Sequence, residues 1–298
     1  MKFSIITPSF NMERFIAKTI ESIISQKGNF EIEYILADGK SSDKTVAIFK
    51  EYQSRLESGA WNVGCQSITM QCLSEKDAGT FDAINKGFNL ATGDLITWCD
   101  ADNTFDPGAF DIIARTFETY PKTEWVIAVG DTMNDRWEKT RSGVCQLYNQ
   151  KWLQRGVYGR EAYFVVQNGC FWRRELWHKT GPIPTTFKVA GDYWLWMQMA
   201  SHAAPLALNA HISNFMRREG QLHLDGTYFG EQVRARPHRS ATAWLARLYF
   251  WPYFHIPTSW RPMFEKLYPF FFPIHPRNYA TEENGRIVQK TMPSFVLH

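Results

Sequence analysis

The chain has 298 residues, 44% of them hydrophobic and 15% aromatic, enough to fill one large domain or a domain with an appendage, so wholesale disorder is excluded. A formal charge of +3 makes no electrostatic case for nucleic-acid binding. The five cysteines (Cys65, Cys72, Cys99, Cys145, Cys170) are odd in number and form no CxxC pair, which reads as reduced thiols rather than a disulfide framework or a zinc site. The first residues enter a strand-like run without the charged and apolar regions of a signal peptide, and no apolar run is long enough to span a bilayer. The expectation is a cytoplasmic protein.

Lys2–Thr7 is an apolar run closed by Pro8 and reads as a buried strand. Met12–Gln26 carries Phe15, Ile16, Ile20, Ile23 and Ile24 at helical spacing, with Asn11 as its N-cap. Strands follow at Ile32–Ala37, Ser67–Leu73, Leu95–Cys99 and Trp125–Val129. Between them lie helices over Asp43–Arg55 (with Asp43 as cap), Phe81–Ala91 and Pro107–Tyr120. Further on the pattern predicts a strand at Phe164–Val166, helices at Arg173–His178 and Asp192–Ser201, a strand at Ile212–Met216 and a helix over Thr227–Phe250 interrupted near Pro237. The Pro- and aromatic-rich tail from Pro252 is expected to hold little regular structure. Strands alternating with helices of this length imply crossovers and a mostly parallel sheet, an α/β fold. Ligands of such sheets bind beyond the carboxyl ends of the strands.

Four polar clusters fall at those ends. Asp100-Ala101-Asp102 follows the fourth strand; residues two apart in an extended chain share a side, so the two carboxylates can hold a hard divalent cation or form a solvated acidic turn. Asp38-Gly39 ends the second strand, where Asp38 can accept from a nucleobase or ribose and Gly39 permits close approach; a plain turn before a capped helix is the alternative. Asp77 follows the third strand and can pair with a base NH, while Lys86 downstream either reaches phosphate or sits in solvent. Pro8, Ser9 and Asn11 follow the first strand. Asp192 opens the aromatic helix that contains Trp196; it is either a helix cap or a carboxylate able to deprotonate a hydroxyl, held ionised by the helix N-terminus. Gln167 and Asn168 carry amides that could bind hydroxyl groups.

Thr7-Pro8-Ser9-Phe10-Asn11, Ala37 through Thr45, Asp77-x-Gly79, Asn85-Lys86-Gly87, Ala91-Thr92-Gly93-Asp94 and Asp100-Ala101-Asp102 resemble, in order and spacing over about residues 1–220, the family 2 glycosyltransferases of the GT-A fold. The resemblance implies inverting transfer from a nucleotide-diphosphate sugar, usually a UDP-sugar, with Mn²⁺ or Mg²⁺, in polysaccharide or lipopolysaccharide assembly. It places Pro8, Asp38 and Asp77 in a nucleoside pocket and makes Asp102 the main metal contact. Asp100 would touch ribose or a metal-bound water, Asp192 would be the general base, and Gln167, Asn168 and Trp196 would lie on the acceptor side. Two positions depart from the family: Ile84 stands where many members carry Arg, and Gly191 precedes Asp192 where Glu is frequent. The segment Gly220-Gln221-Leu222-His223 resembles one that closes the site in relatives, where His223 would complete the metal shell or touch the diphosphate, a structural or surface histidine being the alternative.

The domain division expected is 1–225 for the catalytic domain, split at 105 into donor and acceptor halves, and 226–298 for a helical, aromatic extension. Arg234, Arg236, His238, Arg239 and Arg247 interleave there with Trp244, Tyr249, Phe250 and Trp251, a composition suited either to the inner face of the cell membrane, near a lipid-linked acceptor, or to packing on protein. Two rivals are a sugar nucleotidyltransferase, disfavoured because no Gly-rich loop follows the first strand, and a non-catalytic nucleotide-sugar- or glycan-binding protein on the same fold.

Overall fold

The computed structural model describes residues 1–159, 165–218, 227–236, 251, 255–260, 263, 278–292 and 296–297. The first part follows the expected alternation: β1 (Lys2–Ser9), α1 (Ile16–Ile24), β2 (Glu31–Asp38), α2 (Thr45–Glu57), β3 (Ser67–Ser74), α3 (Thr80–Leu90) and β4 (Leu95–Trp98). β1 runs parallel to both β2 and β4, and β2 parallel to β3, which sets the order β4-β1-β2-β3. The chain therefore moves outward from one side of β1 and returns on the other. That reversal opens a crevice at the carboxyl ends of β1 and β4.

The second part consists of β5 (Thr104–Phe105), α4 (Ala109–Thr119), β6 (Trp125–Met133), β7 (Lys139–Arg141), β8 (Cys145–Gln146), α5 (Gln150–Gln154), β9 (Cys170–Arg173), α6 (Arg174–Thr180), α7 (Gly191–His202) and β10 (Leu206–Met216). β9 lies antiparallel between β4 and β6, and β10 runs parallel to β6. The strand expected at Phe164–Val166 is displaced: Phe164 lies outside the described residues, Val165 and Val166 belong to no strand, and the strand begins at Cys170. Cys170, Phe171 and Trp172 are buried together, the continuous apolar run of a strand covered on both faces, which alternation cannot reveal.

The last elements are α8 (Thr227–Ala235), β11 (Asn278–Glu283), β12 (Arg286–Thr291) and β13 (Val296–Leu297). The expected helix over Thr227–Phe250 is present as far as Ala235; residues 237–250 lie outside the described residues. The tail expected to be irregular instead contributes a hairpin. β11 pairs parallel with β10, and β12 folds back antiparallel on β11. Asn284 (φ 48°) and Gly285 (φ 76°) are both left-handed, as a two-residue hairpin turn of matching twist requires. The segment beyond residue 225 thus extends the central sheet.

Successive strand residues feed two cores. On β1 and β2, Phe3, Ile5, Ile32, Tyr34 and Leu36 face α1, α2 and α4, whereas Ile6, Ile35 and Ala37 face α3, α6 and α7. The first core is dominated by phenylalanine: Phe3 stacks on Phe110 at 5.1 Å and meets Phe30 edge-on at 5.3 Å. The second is built on tryptophan, with Trp196 stacked between Trp98 and Trp125 at 5.7 and 5.9 Å. Each such ring contributes about 1.5–3 kcal/mol by burial. Gly87 lets α3 press against β1, because a Cβ there would stand 2.5 Å from Ile6 Cγ2. The two caps read from sequence are corrected. α1 begins at Ile16, beyond the reach of Asn11, and the Asp43 carboxylate accepts from Thr45 N (2.9 Å) in a local turn one residue outside α2.

Candidate active site

The crevice at the carboxyl edge is a cleft of about 840 Å³, a size suited to a nucleotide or sugar ligand. Its floor is the turn after β4. Asn103 N donates to Asp100 O at 2.9 Å, so Asp100 and Asp102 reach the cleft from a tight turn rather than from the pleat of a strand. The turn is fixed from below: buried Thr19 of α1 donates to the carbonyls of Ala101 (3.0 Å) and Asn103 (2.8 Å), and Asn103 Oδ1 accepts from Met216 N at 2.9 Å. Burial, then the charges of Asp102 and Asp192, push the Asp100 carboxyl up to about 7. Asp102 is buried and pairs with the Arg218 guanidinium at 2.9 Å.

One wall comes from the first three strands. Pro8, Ser9, Phe10 and Asp77 line it, with Phe10 63% exposed at the rim. Asp38 stands behind this wall, 2% exposed, and knits three strand ends together: its carboxylate accepts from Ser9 Oγ (2.9 Å), Ser41 N (2.8 Å) and Ser74 Oγ (2.7 Å). Gly39 backs Asp77 so closely that a Cβ would lie 2.6 Å from Asp77 Oδ2. Asn11 does not line the cleft; its Oδ1 accepts from Ser42 N at 2.9 Å and ties the two loops together.

The opposite wall carries Gln167, Asn168, Asp192 and Tyr228. Gln167 donates to Trp98 O at 2.8 Å, whereas both amide atoms of Asn168, a residue 1% exposed, have no hydrogen-bond partner among the described residues. A buried amide in that state is completed by an ordered water or by a ligand group. Asp192 accepts from its neighbour's N–H (Tyr193, 2.7 Å) and from the Tyr228 hydroxyl at 3.1 and 3.2 Å. Burial outweighs these bonds and raises its carboxyl to about 6, so the helix start does not hold Asp192 as an ordinary exposed carboxylate, contrary to the expectation from the dipole alone.

The donor set fits a hard divalent cation. Asp100 and Asp102 are two like charges on one turn, and no group of three or more His, Cys, Asp or Glu able to hold a metal occurs among the described residues. Two carboxylates that leave the other positions to water and phosphate oxygens are the ligand pattern of Mg²⁺ or Mn²⁺ at a phosphate site. His223, the expected third ligand, lies outside the described residues.

With this geometry in place, the comparisons with known proteins are decisive on family. The profile of glycosyl transferase family 2 matches residues 4–180. The chain belongs to this family. A Bacillus subtilis minor teichoic acid biosynthesis protein, GgaB, is 29% identical over 43% of this chain, which spans only 13% of that protein's length. A glycosyltransferase of PGL/p-HBAD biosynthesis from Mycobacterium bovis is 26% identical over 70% of this chain and 74% of its own. Among solved structures, S. aureus TarS 1–349 in complex with UDP has a TM-score of 0.57 at 15% identity, covering 89% of this chain and 78% of that one. A mannosyltransferase of Pyrobaculum calidifontis, in complex with GDP-Man and Mn²⁺, has a TM-score of 0.54 at 15% identity, covering 87% and 72%. These structures share the GT-A fold with this glycosyltransferase.

Several motif residues of the glycosyltransferase hold its frame rather than line its cleft. Lys86 does not reach the site: its ammonium pairs with Glu75 (2.9 Å) and Asp82 (3.3 Å) on the outside of α3. Asn85 exchanges two hydrogen bonds with the Ile183 backbone, at 2.8 and 3.0 Å. Thr92-Gly93-Asp94 clamps the opposite edge of the sheet, where Gly93 N donates to Ser4 Oγ (2.8 Å) and Lys2 N to Asp94 (2.9 Å). Trp196, expected on the acceptor side, is instead a core residue: one turn along α7 from Asp192 and on the same face, it is covered by Trp98, which lines the cleft, and stacks between Trp98 and Trp125. Sequence reading missed Arg217, Arg218 and Tyr228, which line the cleft from the end of β10 and from α8. Nothing in their local spacing marks them.

Proposed function

We propose that this glycosyltransferase transfers a sugar, with inversion, from a nucleoside-diphosphate donor to a hydroxyl of a glycan or lipid-linked acceptor. The observation that carries the reading is that Asp100, Asp102 and Asp192 share one cleft, with Asp192 at about 6, near the optimum for a general base at neutral pH. Asp192 takes the acceptor's hydroxyl proton. The acceptor oxygen bonds to the anomeric carbon from one face as the bond to the diphosphate oxygen breaks on the other, and the electron pair leaves with the nucleoside diphosphate. Asp100 and Asp102 would hold a Mn²⁺ or Mg²⁺ ion, which neutralises charge on the departing diphosphate. Arg217 and Arg218 add cationic charge at the same place and offset the absence of an Arg at Ile84.

Phe10 offers an aromatic face at the rim and Asp77 an acceptor beside it, which suits a nucleobase. The neighbours solved with UDP and with UDP-GlcNAc favour a UDP-sugar, and the one solved with GDP-Man keeps a guanosine donor in the panel. The unpaired Asn168 amide supports sugar binding on the opposite wall. The relatives of teichoic acid and mycobacterial glycolipid biosynthesis favour a cell-envelope acceptor. In this reading residues 1–225 supply the donor wall and most of the acceptor wall, and Tyr228 and Phe229 of α8 complete the cleft.

The test is nucleoside-diphosphate release from UDP-, GDP- and dTDP-sugars with and without Mn²⁺. The expected result is metal-stimulated turnover of one nucleotide class, abolished in Asp102→Ala and Asp192→Asn with donor binding retained in the latter. Full turnover in Asp192→Asn would overturn the base assignment.

No helix among the described residues is long and apolar enough to cross a membrane. Trp251, Trp260 and Met263 are 58–60% exposed, which supports peripheral contact of the C-terminal segment with the membrane that carries a lipid-linked acceptor. Failure to float with anionic liposomes would remove that part of the reading.

A further inference from the structure

α8 lies beyond the segment that the family profile matches, yet it is wired into the residues around Asp192. Tyr228, Glu231, Gln232 and Ala235 recur at three- and four-residue intervals and share one face of the helix. Glu231, 1% exposed, accepts from the backbone N–H groups of Lys188 (2.9 and 3.1 Å), Val189 (2.9 Å) and Ala190 (2.9 Å). These three amides immediately precede Gly191, the first residue of α7, and α7 has no side-chain cap of its own. Helix starts present unpaired N–H groups and positive potential, so Glu231 acts as an anionic cap delivered from another helix.

The same face continues on both sides of this contact. One turn earlier, the Tyr228 hydroxyl reaches both oxygens of Asp192. One turn later, Ala235 packs with Ala190, Tyr193 and Met197, and Arg236 Nε donates to Tyr193 Oη at 2.9 Å. The backbone before Asp192, its carboxylate and the residue after it are all tied to α8.

We propose that α8 is the positioning element for Asp192: Glu231 fixes the backbone that carries the carboxylate, and Tyr228 orients the carboxylate toward the acceptor. The inference rests on the reading of Asp192 as general base. The family match ends at residue 180, already before Asp192, and the consequence of the inference is that the catalytic unit extends further still, through α8. A chain cut before Thr227 would keep the donor wall and lose the orientation of the base.

The charged and titratable groups facing Asp192 are Tyr228 and Glu231 from α8, Asp100 from the turn after β4, and Cys170 from β9, with Asp77, Asp102, Asp131, Lys188, Arg217 and Arg218 on the same cleft. Tyr228 donates to the ionised form of Asp192, and removing that bond makes proton loss harder.

The experiment compares the full-length chain with Tyr228→Phe, Glu231→Gln and Glu231→Ala, using whichever panel donor is turned over. The kinetic readouts are kcat, donor KM and the pH profile of kcat, and thermal unfolding is followed alongside. Tyr228→Phe is expected to lower kcat about tenfold, leave donor KM within twofold and move the acidic limb to higher pH. Glu231→Ala is expected to lower kcat further, and Glu231→Gln, which keeps one acceptor oxygen, to recover part of the loss. Should Glu231→Ala fail to fold, Tyr228→Phe and Glu231→Gln still decide the matter. Wild-type kcat and an unmoved acidic limb in Tyr228→Phe overturn the proposal, as does a loss confined to stability or to donor KM. Asp192→Asn separates the two levels. If it is inactive while Tyr228→Phe behaves as wild type, only the role of α8 falls; if it turns over normally, the base reading falls with it.

Discussion

Asp102 and Arg218 form an ion pair of 2.9 Å across the floor of the cleft, joining the turn after β4 to the end of β10. The guanidinium also lies 5.0 Å over the Phe15 ring and is thereby held beside the carboxylate. A cation bound by Asp102 must compete with this arginine, whereas a diphosphate gains from it. Arg218→Ala is therefore expected to act in opposite directions on the two ligands. Mn²⁺ binding without nucleotide should tighten about fivefold, the equivalent of roughly 1 kcal/mol for a partly buried pair. Nucleoside-diphosphate binding should weaken by a similar factor. Calorimetric titration of each ligand separately reads both, and weakening of both would show that Arg218 merely supports the turn.

Asn85 and Asn168 are both buried asparagines, but their bonding differs. Asn85 satisfies the Ile183 backbone with two hydrogen bonds, and Asn168 satisfies nothing. Asn85→Ala leaves a buried N–H and C=O unpaired and should cost about 2–4 kcal/mol in denaturant unfolding. Asn168→Ala removes an amide that no partner stabilises and should change stability by less than about 1 kcal/mol. It should nonetheless raise the acceptor or donor KM at least fivefold. A large stability loss in Asn168→Ala would mean that the amide serves the fold.

Most of the donor half was legible in the sequence because its strands and helices have clean periods and its polar clusters sit at strand ends. What each motif residue does was less legible. Lys86 and Thr92 belong to the same ordered set as Asp102, yet one pairs with carboxylates outside α3 and the other clamps Glu33 at the far edge of the sheet. Spacing orders such residues along the chain without saying which edge of the sheet they serve. Trp196 was misplaced because an aromatic one helical turn from the cleft carboxylate, on the same face, is covered by Trp98 and so sits beneath the cleft lining. β9 escaped because its Cys-Phe-Trp run is buried on both faces. The β11–β12 hairpin was overlooked although Asn284-Gly285 is a strong turn signal, its flanking strands being partly charged and short. Arg218 and Tyr228 could not be found at all, since their importance comes from long-range contacts with Asp102 and Asp192.

Glu33 gives the sheet a pH-dependent clamp. Burial alone would raise its carboxyl, but hydrogen bonds from Ser4, from Thr92 and from Lys2 outweigh it and hold Glu33 below the usual glutamate value. A folded-state pKa depressed below the unfolded one stabilises the protein above the unfolded value, near 4.5, and the stabilisation is lost as pH falls through the folded value. Glu33→Gln should therefore lower the unfolding midpoint at pH 7, and the gap to wild type should close as pH falls below the ordinary glutamate value of 4.5. A gap that persists unchanged at pH 3 would assign the effect to packing.

Asp192 has the opposite sign. Its folded carboxyl is raised to about 6 from 3.8, chiefly by burial, so the ionised form is disfavoured in the folded protein. A carboxylate of that kind destabilises the fold increasingly as pH rises above its unfolded value, and the penalty is fully developed above the folded one. Asp192→Asn should thus raise stability at pH 7.5 by on the order of 1–2 kcal/mol once solvent screening is allowed for. The gain should shrink toward zero near pH 4. The same shift predicts an acidic limb in kcat/KM near pH 6, because a protonated Asp192 cannot accept the acceptor's proton. The two measurements are coupled: the pH range over which the wild type loses activity is the range over which Asp192→Asn loses its stability advantage. Thermal unfolding of both proteins from pH 4 to 8, set beside the wild-type pH–rate profile, tests this. Coincident ranges mean that one carboxylate governs both, and a stability gain that does not vary with pH would mean that the asparagine simply packs better and that the kinetic limb belongs to another group.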